Sequence, residues 1–295
     1  SATVAAKLEL NKKEYLPIKK AIIPEDLNDI LAQAFKIKGL NIDRYNQRFY
    51  PYEQICSHIV GYTNSNGDGK SGIELQYNEL LSGTIETNVV FQKSLHGRWQ
   101  NKEKERFNHK LDGKDIYLAI DIRLQKYLYE ALQKGQESSS AKSTNGIIVN
   151  PINGDILAMA GTPSYNPNNF NQYGLSKYKN NVLSKQYEPG STIKVIPIIE
   201  AIQNLDEQMM IDCENGKYEI PGTKRVIQDH EPYDILSLEQ ILVHSSNIGI
   251  VKIANMLGEE KTYSSLRKFG LGSKTGVNLP GEEAGKISKL KKWSK

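Results

Sequence analysis

Apolar positions change their rhythm along the chain near residue 113. Before that point they are scattered through a polar, mixed region. Pro24-Glu25-Asp26 opens a predicted helix, because proline suits the first turn and the acidic pair complements the positive helix end. Leu27, Ile30, Leu31 and Ala34 follow at helical spacing. Asn64-Ser65-Asn66-Gly67-Asp68-Gly69 is a loop by composition, and the charged stretch over residues 100–113 is the expected boundary.

After it the pattern turns to regular strand and helix. Residues 115–120 read as a strand and residues 123–134 as a helix closed by Gly135. The Ser-rich residues 136–144 read as a loop. Residues 146–150 and 155–160 predict two strands, joined through Asn153-Gly154, a strong hairpin signal. Residues 191–204 predict a helix buried almost all round, Ser237-Leu238-Glu239-Gln240 is a capping box, and Gly258 closes a further helix. The sum is an α/β (α+β) chain, a sheet with helices, and no internal repeat is visible.

Composition narrows this picture. A length of 295 residues suggests about two domains, placed at residues 1–110 and 111–295. The 38% apolar share is ample for folded cores. A net charge of +4 without a Lys/Arg stripe interleaved with aromatics argues against nucleic acid as a partner. Cys56 and Cys213 lie far apart, bridged or free, and neither sits in a zinc spacing. No run approaches ~18 apolar residues and the N-terminus is not a signal peptide, so the polypeptide as given is expected to be soluble.

The sharpest chemical feature is Tyr187-Glu188-Pro189-Gly190-Ser191-Thr192-Ile193-Lys194. A serine hydroxyl is a poor nucleophile near neutral pH and needs an adjacent base. Ser-x-x-Lys at a helix start supplies one, since positions i and i+3 share a face, and burial lowers the lysine pKa towards use. The spacing alone carries no weight, because it recurs at Ser139, Ser176, Ser265 and Ser288. Ser191 stands apart because Ile193, Val195, Ile196, Ile198 and Ile199 surround it, and a lysine in such a helix is costly unless paired or functional. The second feature is His244-Ser245-Ser246-Asn247, a hydroxyl and an amide two residues apart in a tight turn. Taken alone, an ordinary helix cap accounts for it.

Together, Tyr-Glu-Pro-Gly-Ser-Thr-x-Lys and Ser-Ser-Asn resemble the class B penicillin-binding proteins, the monofunctional cell-wall transpeptidases. The likeness covers nearly the whole chain. Arg48-Phe49-Tyr50-Pro51, His58-Ile59-Val60-Gly61 and Gly72-Ile73-Glu74-Leu75-Gln76-Tyr77 are similar to the family's non-catalytic N-terminal module, a dimerisation or pedestal-like part. Ile156-Leu157-Ala158-Met159 and Pro163-Ser164-Tyr165-Asn166-Pro167 resemble its first catalytic-domain strands. Phe269-Gly270-Leu271-Gly272 and Leu279-Pro280-Gly281-Glu282 match a segment after the second motif. Glu188 tilts the resemblance towards the division (septal) type rather than the elongation type.

The resemblance implies a penicilloyl-serine transferase fold, with a five-stranded antiparallel sheet flanked by helices. It implies that Ser191 attacks the penultimate D-Ala carbonyl of a peptidoglycan stem peptide, and that β-lactams are trapped there. Lys194 is then the base, Ser245 a proton relay, Asn247 a substrate-amide ligand, and the Ser191 N–H half of the oxyanion hole. No cofactor or metal is implied. Cell-division or elongation membrane proteins are the expected protein partners. The expected location is the cytoplasmic membrane with the catalytic domain on its outer, periplasmic face, through an anchor not in this chain.

Departures matter too. Lys274-Thr275-Gly276 spells the family's third motif in the wrong place and reads as structural. The true third motif is expected beyond Lys295, so the transferase domain reads as incomplete at its C-terminus and completed by a further fragment. Val195-Ile196 precede Pro197, where the family usually has proline directly after the lysine, and Pro197 is expected to bend the helix. Asn64-x-Asn66-x-Asp68-Gly69 imitates half a calcium loop but has Leu75 where glutamate is needed, so a plain turn is expected. Two other readings use the same motifs: a serine β-lactamase or β-lactam sensor, disfavoured by residues 1–110, and a non-enzymatic scaffold binding division partners.

Overall fold

The computed structural model describes residues 47–83, 85–93, 99–110 and 112–293, so the helix expected over residues 24–34 lies outside the described residues. Helix α1 (Glu53–Val60) leads through a turn to α2 (Gly72–Gln76) and α3 (Asn78–Leu81). The turn is the Asn64 loop, where Asn64 Oδ1 accepts from the amides of Asn66 and Asp68 at 3.0 and 2.9 Å. Two glycines let the backbones of α1 and α2 meet. A Cβ on Gly61 would sit 1.9 Å from the Ser71 carbonyl oxygen, and one on Gly72 2.4 Å from that of Ile59. Both hold positive φ as well, so only glycine fits.

Strands β1 (Ile85–Lys93) and β2 (Trp99–Lys110) pair antiparallel, with Ile85 opposite Lys110. The polar stretch expected as a boundary is therefore largely a strand, since ladder hydrogen bonds belong to the backbone and polar sequences can make them. Residues 112–120 do not form the expected strand. They have no regular secondary structure and are tied at either side, Lys114 N–H to Leu80 O at 2.8 Å and Asp121 N–H to Leu157 O at 2.9 Å, with no ladder partner among the described residues. Their apolar alternation is still used: Ile116 and Ile120 pack inward while Tyr117 is exposed.

Helix α4 (Ile122–Ser139) is capped by Asp121, whose side chain accepts from the amides of Arg123 and Leu124. It does not stop at Gly135. A glycine inside a helix costs only about 1 kcal/mol, and the helix runs on to Ser140, which adopts the left-handed cap conformation. The first residues of the expected Ser-rich loop are thus helical. Strands β3 (Thr144–Val149) and β4 (Ile156–Thr162) form the expected hairpin, Met159 opposite Ile147, with Gly154 at positive φ in the turn. A short helix, α5 (Asn181–Ser184), follows.

The first core gathers Ile59, Ile73 and Met159 with Ile116, Ile120, Ile156, Val182 and Leu183 around them. At its centre Gln125 is fully buried yet satisfied: its Nε2 donates to the carbonyls of Ile55 and Met159 at 2.6 and 2.9 Å, and its Oε1 accepts from Met159 N–H at 2.8 Å.

The second half begins with α6 (Val195–Asn204) and continues through β5 (Met210–Asp212), β6 (Lys217–Glu219), β7 (Val226–Gln228) and β8 (Ile235–Ser237). Strand β5 pairs with β8 and β6 with β7, both antiparallel. Helices α7 (Leu238–Val243), α8 (Asn247–Leu257) and α9 (Glu259–Lys268) close it. The Ser237 capping box and the Gly258 stop are both present. The ladders are antiparallel and helix-flanked as expected, but among the described residues each has two strands rather than five. Ile198, Ala201, Ile211, Leu236, Leu238, Ile241, Ile248 and Ile253 make an aliphatic core. Cys213 lies in it, and both cysteines are free. Residues 48–295 belong to one compact unit.

Candidate active site

The Ser191 motif folds as a 3₁₀ turn, Gly190–Lys194, that runs into α6. Gly190 takes φ +61°, a conformation glycine adopts without strain, to start the turn. In a 3₁₀ turn residues i and i+3 eclipse, which puts Ser191 and Lys194 on one face more closely than an α-helix would. Pro197 falls in the first turn of α6, at the changeover from 3₁₀ to α geometry, where proline is tolerated. The helix is not buried all round. Ile198 and Ala201 face the core, whereas Val195 and Ile202 are 43% and 50% exposed, because no element among the described residues covers that side.

Ser191 is exposed and Lys194 is buried at 6% exposure. Lys194 Nζ donates to the Ser245 carbonyl oxygen at 2.5 Å, to Ser245 Oγ at 3.1 Å and to Asn247 Oδ1 at 2.7 Å. The structure therefore brings Lys194, Ser245 and Asn247 together through hydrogen bonds, while Ser191 lies three residues before Lys194 on the same turn and makes no side-chain hydrogen bond to them. Burial pushes the Lys194 pKa below its ordinary value, and the carboxylate of Asp229 acts against that shift.

The second motif is the turn between α7 and α8. Ser246 is its helix cap: its Oγ accepts from Gly249 N–H at 2.9 Å. The capping explanation thus holds for Ser246, and the neighbours on either side are free to face Lys194. Ser245 holds φ +55°, an uncommon conformation for a residue with a Cβ, and this helps to aim both its carbonyl and its hydroxyl at Nζ. His244 stacks on Tyr233, with ring centroids 4.8 Å apart, and takes no part in the Lys194 cluster.

Sequence reasoning missed Asp229. Its Oδ1 accepts from the amides of Asn247 and Ile248 at 2.5 and 3.0 Å, and its Oδ2 from Ser246 Oγ at 2.6 Å. No local signal marks it, since it lies in a polar loop well upstream of the turn. Lys274-Thr275-Gly276 sits in an exposed loop, where Glu282 accepts from Thr275 N–H and Oγ1 and from Gly276 N–H. Those bonds, led by the Thr275 hydroxyl, hold the Glu282 carboxyl below its usual range, and the triplet is structural as expected.

The chain matches the penicillin binding protein transpeptidase domain over residues 146–295 and the penicillin-binding protein dimerisation domain over residues 1–118. It is 32% identical over 297 residues to the probable peptidoglycan D,D-transpeptidase PbpC of Pseudomonas aeruginosa, covering 100% of this chain and 52% of that protein. It is 28% identical over 292 residues to the peptidoglycan D,D-transpeptidase FtsI of Escherichia coli, covering 99% and 48% respectively. Penicillin binding protein 3 of Mycobacterium tuberculosis, solved in complex with ampicillin, superposes with a TM-score of 0.71 at 26% identity, covering 85% of this chain and 52% of that one. The chain spans about half the length of the curated relatives it matches.

Proposed function

The chain belongs to the class B penicillin-binding protein transpeptidases, and from that premise we propose that Ser191, Lys194, Ser245 and Asn247 carry a D,D-transpeptidase reaction. The hydrogen-bonded contact of buried Lys194 with both Ser245 and Asn247, one eclipsed turn from Ser191, is the observation that supports it.

In the first half-reaction a neutral Lys194 amine takes the Ser191 Oγ proton as Oγ attacks the penultimate D-Ala carbonyl of a stem peptide. The peptide bond to the terminal D-Ala breaks, and its nitrogen receives a proton relayed through the Ser245 hydroxyl from Lys194. In the second, the amine of a neighbouring stem attacks the acyl-serine ester, its proton returns through the same groups, and Ser191 is regenerated with a cross-link formed. Asn247 holds the substrate amide, and Ser191 N–H, among the first amides of its turn and free of an intrahelical partner, donates to the oxyanion. A β-lactam ester on Ser191 is the stalled form of the same intermediate. The ampicillin and aztreonam complexes of the Mycobacterium tuberculosis protein support this by similarity.

Residues 1–110 serve as the non-catalytic module and residues 111–295 as the N-terminal part of the transpeptidase domain, a division supported by the two family matches. The role is septal, a reading supported by the FtsI relatives. The site faces the outer side of the cytoplasmic membrane, where its substrate is, alongside division partners. No helix among the described residues is long and apolar enough to cross a membrane. Intact mass after incubation with benzylpenicillin tests the assignment. A covalent adduct that is lost in Ser191→Ala is expected, and a folded wild-type chain with no adduct overturns it.

A further inference from the structure

Asn247 is held at two points from one side. Its backbone N–H donates to Asp229 Oδ1, and its side-chain Nδ2 donates to the carbonyl of Gln228 at 2.9 Å. The second bond fixes which way the amide points. With Nδ2 engaged by a carbonyl, Oδ1 faces Lys194, and the reversed amide would set its N–H₂ donors against the N–H donors of Lys194 and leave the Gln228 carbonyl facing an oxygen. Asp229 also accepts from Ser246 Oγ and from Ile248 N–H, so three consecutive residues of the turn hang on one carboxylate. Bonds of that kind are the strong ones. The carboxylate is itself anchored, because Asp229 N–H donates to the Gly216 carbonyl at 3.1 Å, tying it to the β6–β7 hairpin. On the other side of the turn Ser245 sits at φ +55°, which persists only where its surroundings over-determine it.

We propose that Asp229 is the positioning residue of the second motif, the group that holds Ser245 in its left-handed conformation and aims Ser245 and Asn247 at Lys194. It touches neither the reacting atoms nor Lys194 itself. The role rests on the transpeptidase reading for its consequence in catalysis, but the geometry stands independently of it. The charge has a second effect. Lys194, Cys213 and Tyr233 all lie in the field of Asp229, and Asp212, Glu231 and Lys252 surround the same network. Of these charges the one that acts on Lys194 is Asp229, which favours its protonated form.

The test compares wild type, Asp229→Ala and Asp229→Asn by amide hydrogen exchange, by NMR titration of the Lys194 side chain, and by the rate of benzylpenicillin acylation. Asp229→Ala is expected to speed exchange at Asn247 and Ile248 relative to amides of α9, and to slow acylation about 10- to 100-fold, the equivalent of losing one hydrogen bond to a charged group. Asp229→Asn keeps the shape and loses the charge. It is expected to keep most of the exchange protection and to move the Lys194 midpoint, and the acylation profile with it, to lower pH. Unchanged exchange at Asn247 and Ile248 in Asp229→Ala overturns the proposal. If Asp229→Ala does not fold, Asp229→Ser, which keeps a short polar side chain but cannot reach all three donors, is read by the same exchange at Asn247 and Ile248, and unchanged protection there overturns the proposal. If wild type is never acylated, the transpeptidase reading fails while the exchange still decides the role of Asp229.

Discussion

The two cores of this molecule are built from different materials. Around residues 48–83 and 112–184 an apolar centre is interleaved with buried polar and aromatic contacts. Tyr62 stacks on Phe170 with centroids 4.5 Å apart, Tyr165 is fully buried, and Ser57 Oγ lies 2.6 Å from Ser164 Oγ. Arg48 and Tyr50 both reach the buried carboxylate of Glu74, at 3.2 and 3.3 Å, and burial pushes the Tyr50 hydroxyl up to about 12. Around residues 195–268 the core is aliphatic, and its conspicuous buried charge is Lys194, with Glu200 held by Asn204 and Ser265 behind it.

The contrast separates two tasks. Hydrogen bonds are directional, so these polar contacts fix which distant segments meet: those of Ser57, His58 and Gln125 join residues 70 to 119 positions apart. Apolar packing is non-directional and leaves the site's few polar groups to set their own geometry. A lysine placed in the second core is therefore controlled by a small, countable set of partners.

The sharpest way to break the contrast is to remove that lysine. Lys194→Met is expected to lower penicillin acylation by about 10²–10⁴-fold, with a thermal midpoint no lower than wild type because a desolvated cation is gone. A large loss of stability would show that Lys194 is a structural member of the core. On the proposed mechanism the neutral amine is the active form, so acylation is expected to rise with pH through a midpoint below the ordinary lysine value of 10.5.

The mirror experiment is Gln125→Ala in the polar core. It removes the side chain that bridges Ile55 O, Met159 O and Met159 N–H, and urea unfolding is expected to show a loss of about 3 kcal/mol. Acylation of the folded fraction should be unchanged, and a specific loss of acylation would mean the cores are coupled. Next comes Gly249→Ala. Its Cβ would lie 2.6 Å from Ile241 Cγ1, and overpacking between α7 and α8 is expected to cost about 1–3 kcal/mol. Because those helices carry the second motif, acylation should fall as well, which Gln125→Ala would not do.

The smallest effect concerns His58. It is buried against Tyr165, its Nε2 donates to the Lys177 carbonyl at 2.9 Å, and burial lowers its pKa below 6.5. Unfolded histidine then binds a proton that the folded one refuses, so its contribution is full above about pH 6.5 and declines as pH falls below it. His58→Gln is expected to flatten the acid side of a melting-temperature profile between pH 7 and 5. A profile that stays parallel to wild type would mean that the acid loss arises elsewhere.

Reading these cores from sequence succeeds where the signal is local. Ser191 and Lys194 sit within one turn, Ser237 and Gln240 within one capping box, and both were legible. The residues that orient the site were not. Gln228 ends a short strand and Asp229 follows it in a polar loop, and Gln125 looks like an ordinary exposed helix position until the fold closes over it. The predicted strand over residues 115–120 failed for a related reason: alternation records burial, whereas a strand also needs a neighbour to pair with.

What the sequence determined by itself was therefore chemistry and local geometry: a serine three residues before a lysine at a helix start, a Ser-Ser-Asn turn between two helices, and the β3–β4 hairpin. Each depends on residues close together in the chain, where backbone stereochemistry alone fixes the outcome. Only the tertiary structure decided which acceptors Lys194 meets, which way the Asn247 amide points and that one carboxylate holds the turn. Those are contacts between residues far apart in sequence, and they exist only once the chain has brought them within a hydrogen bond of each other.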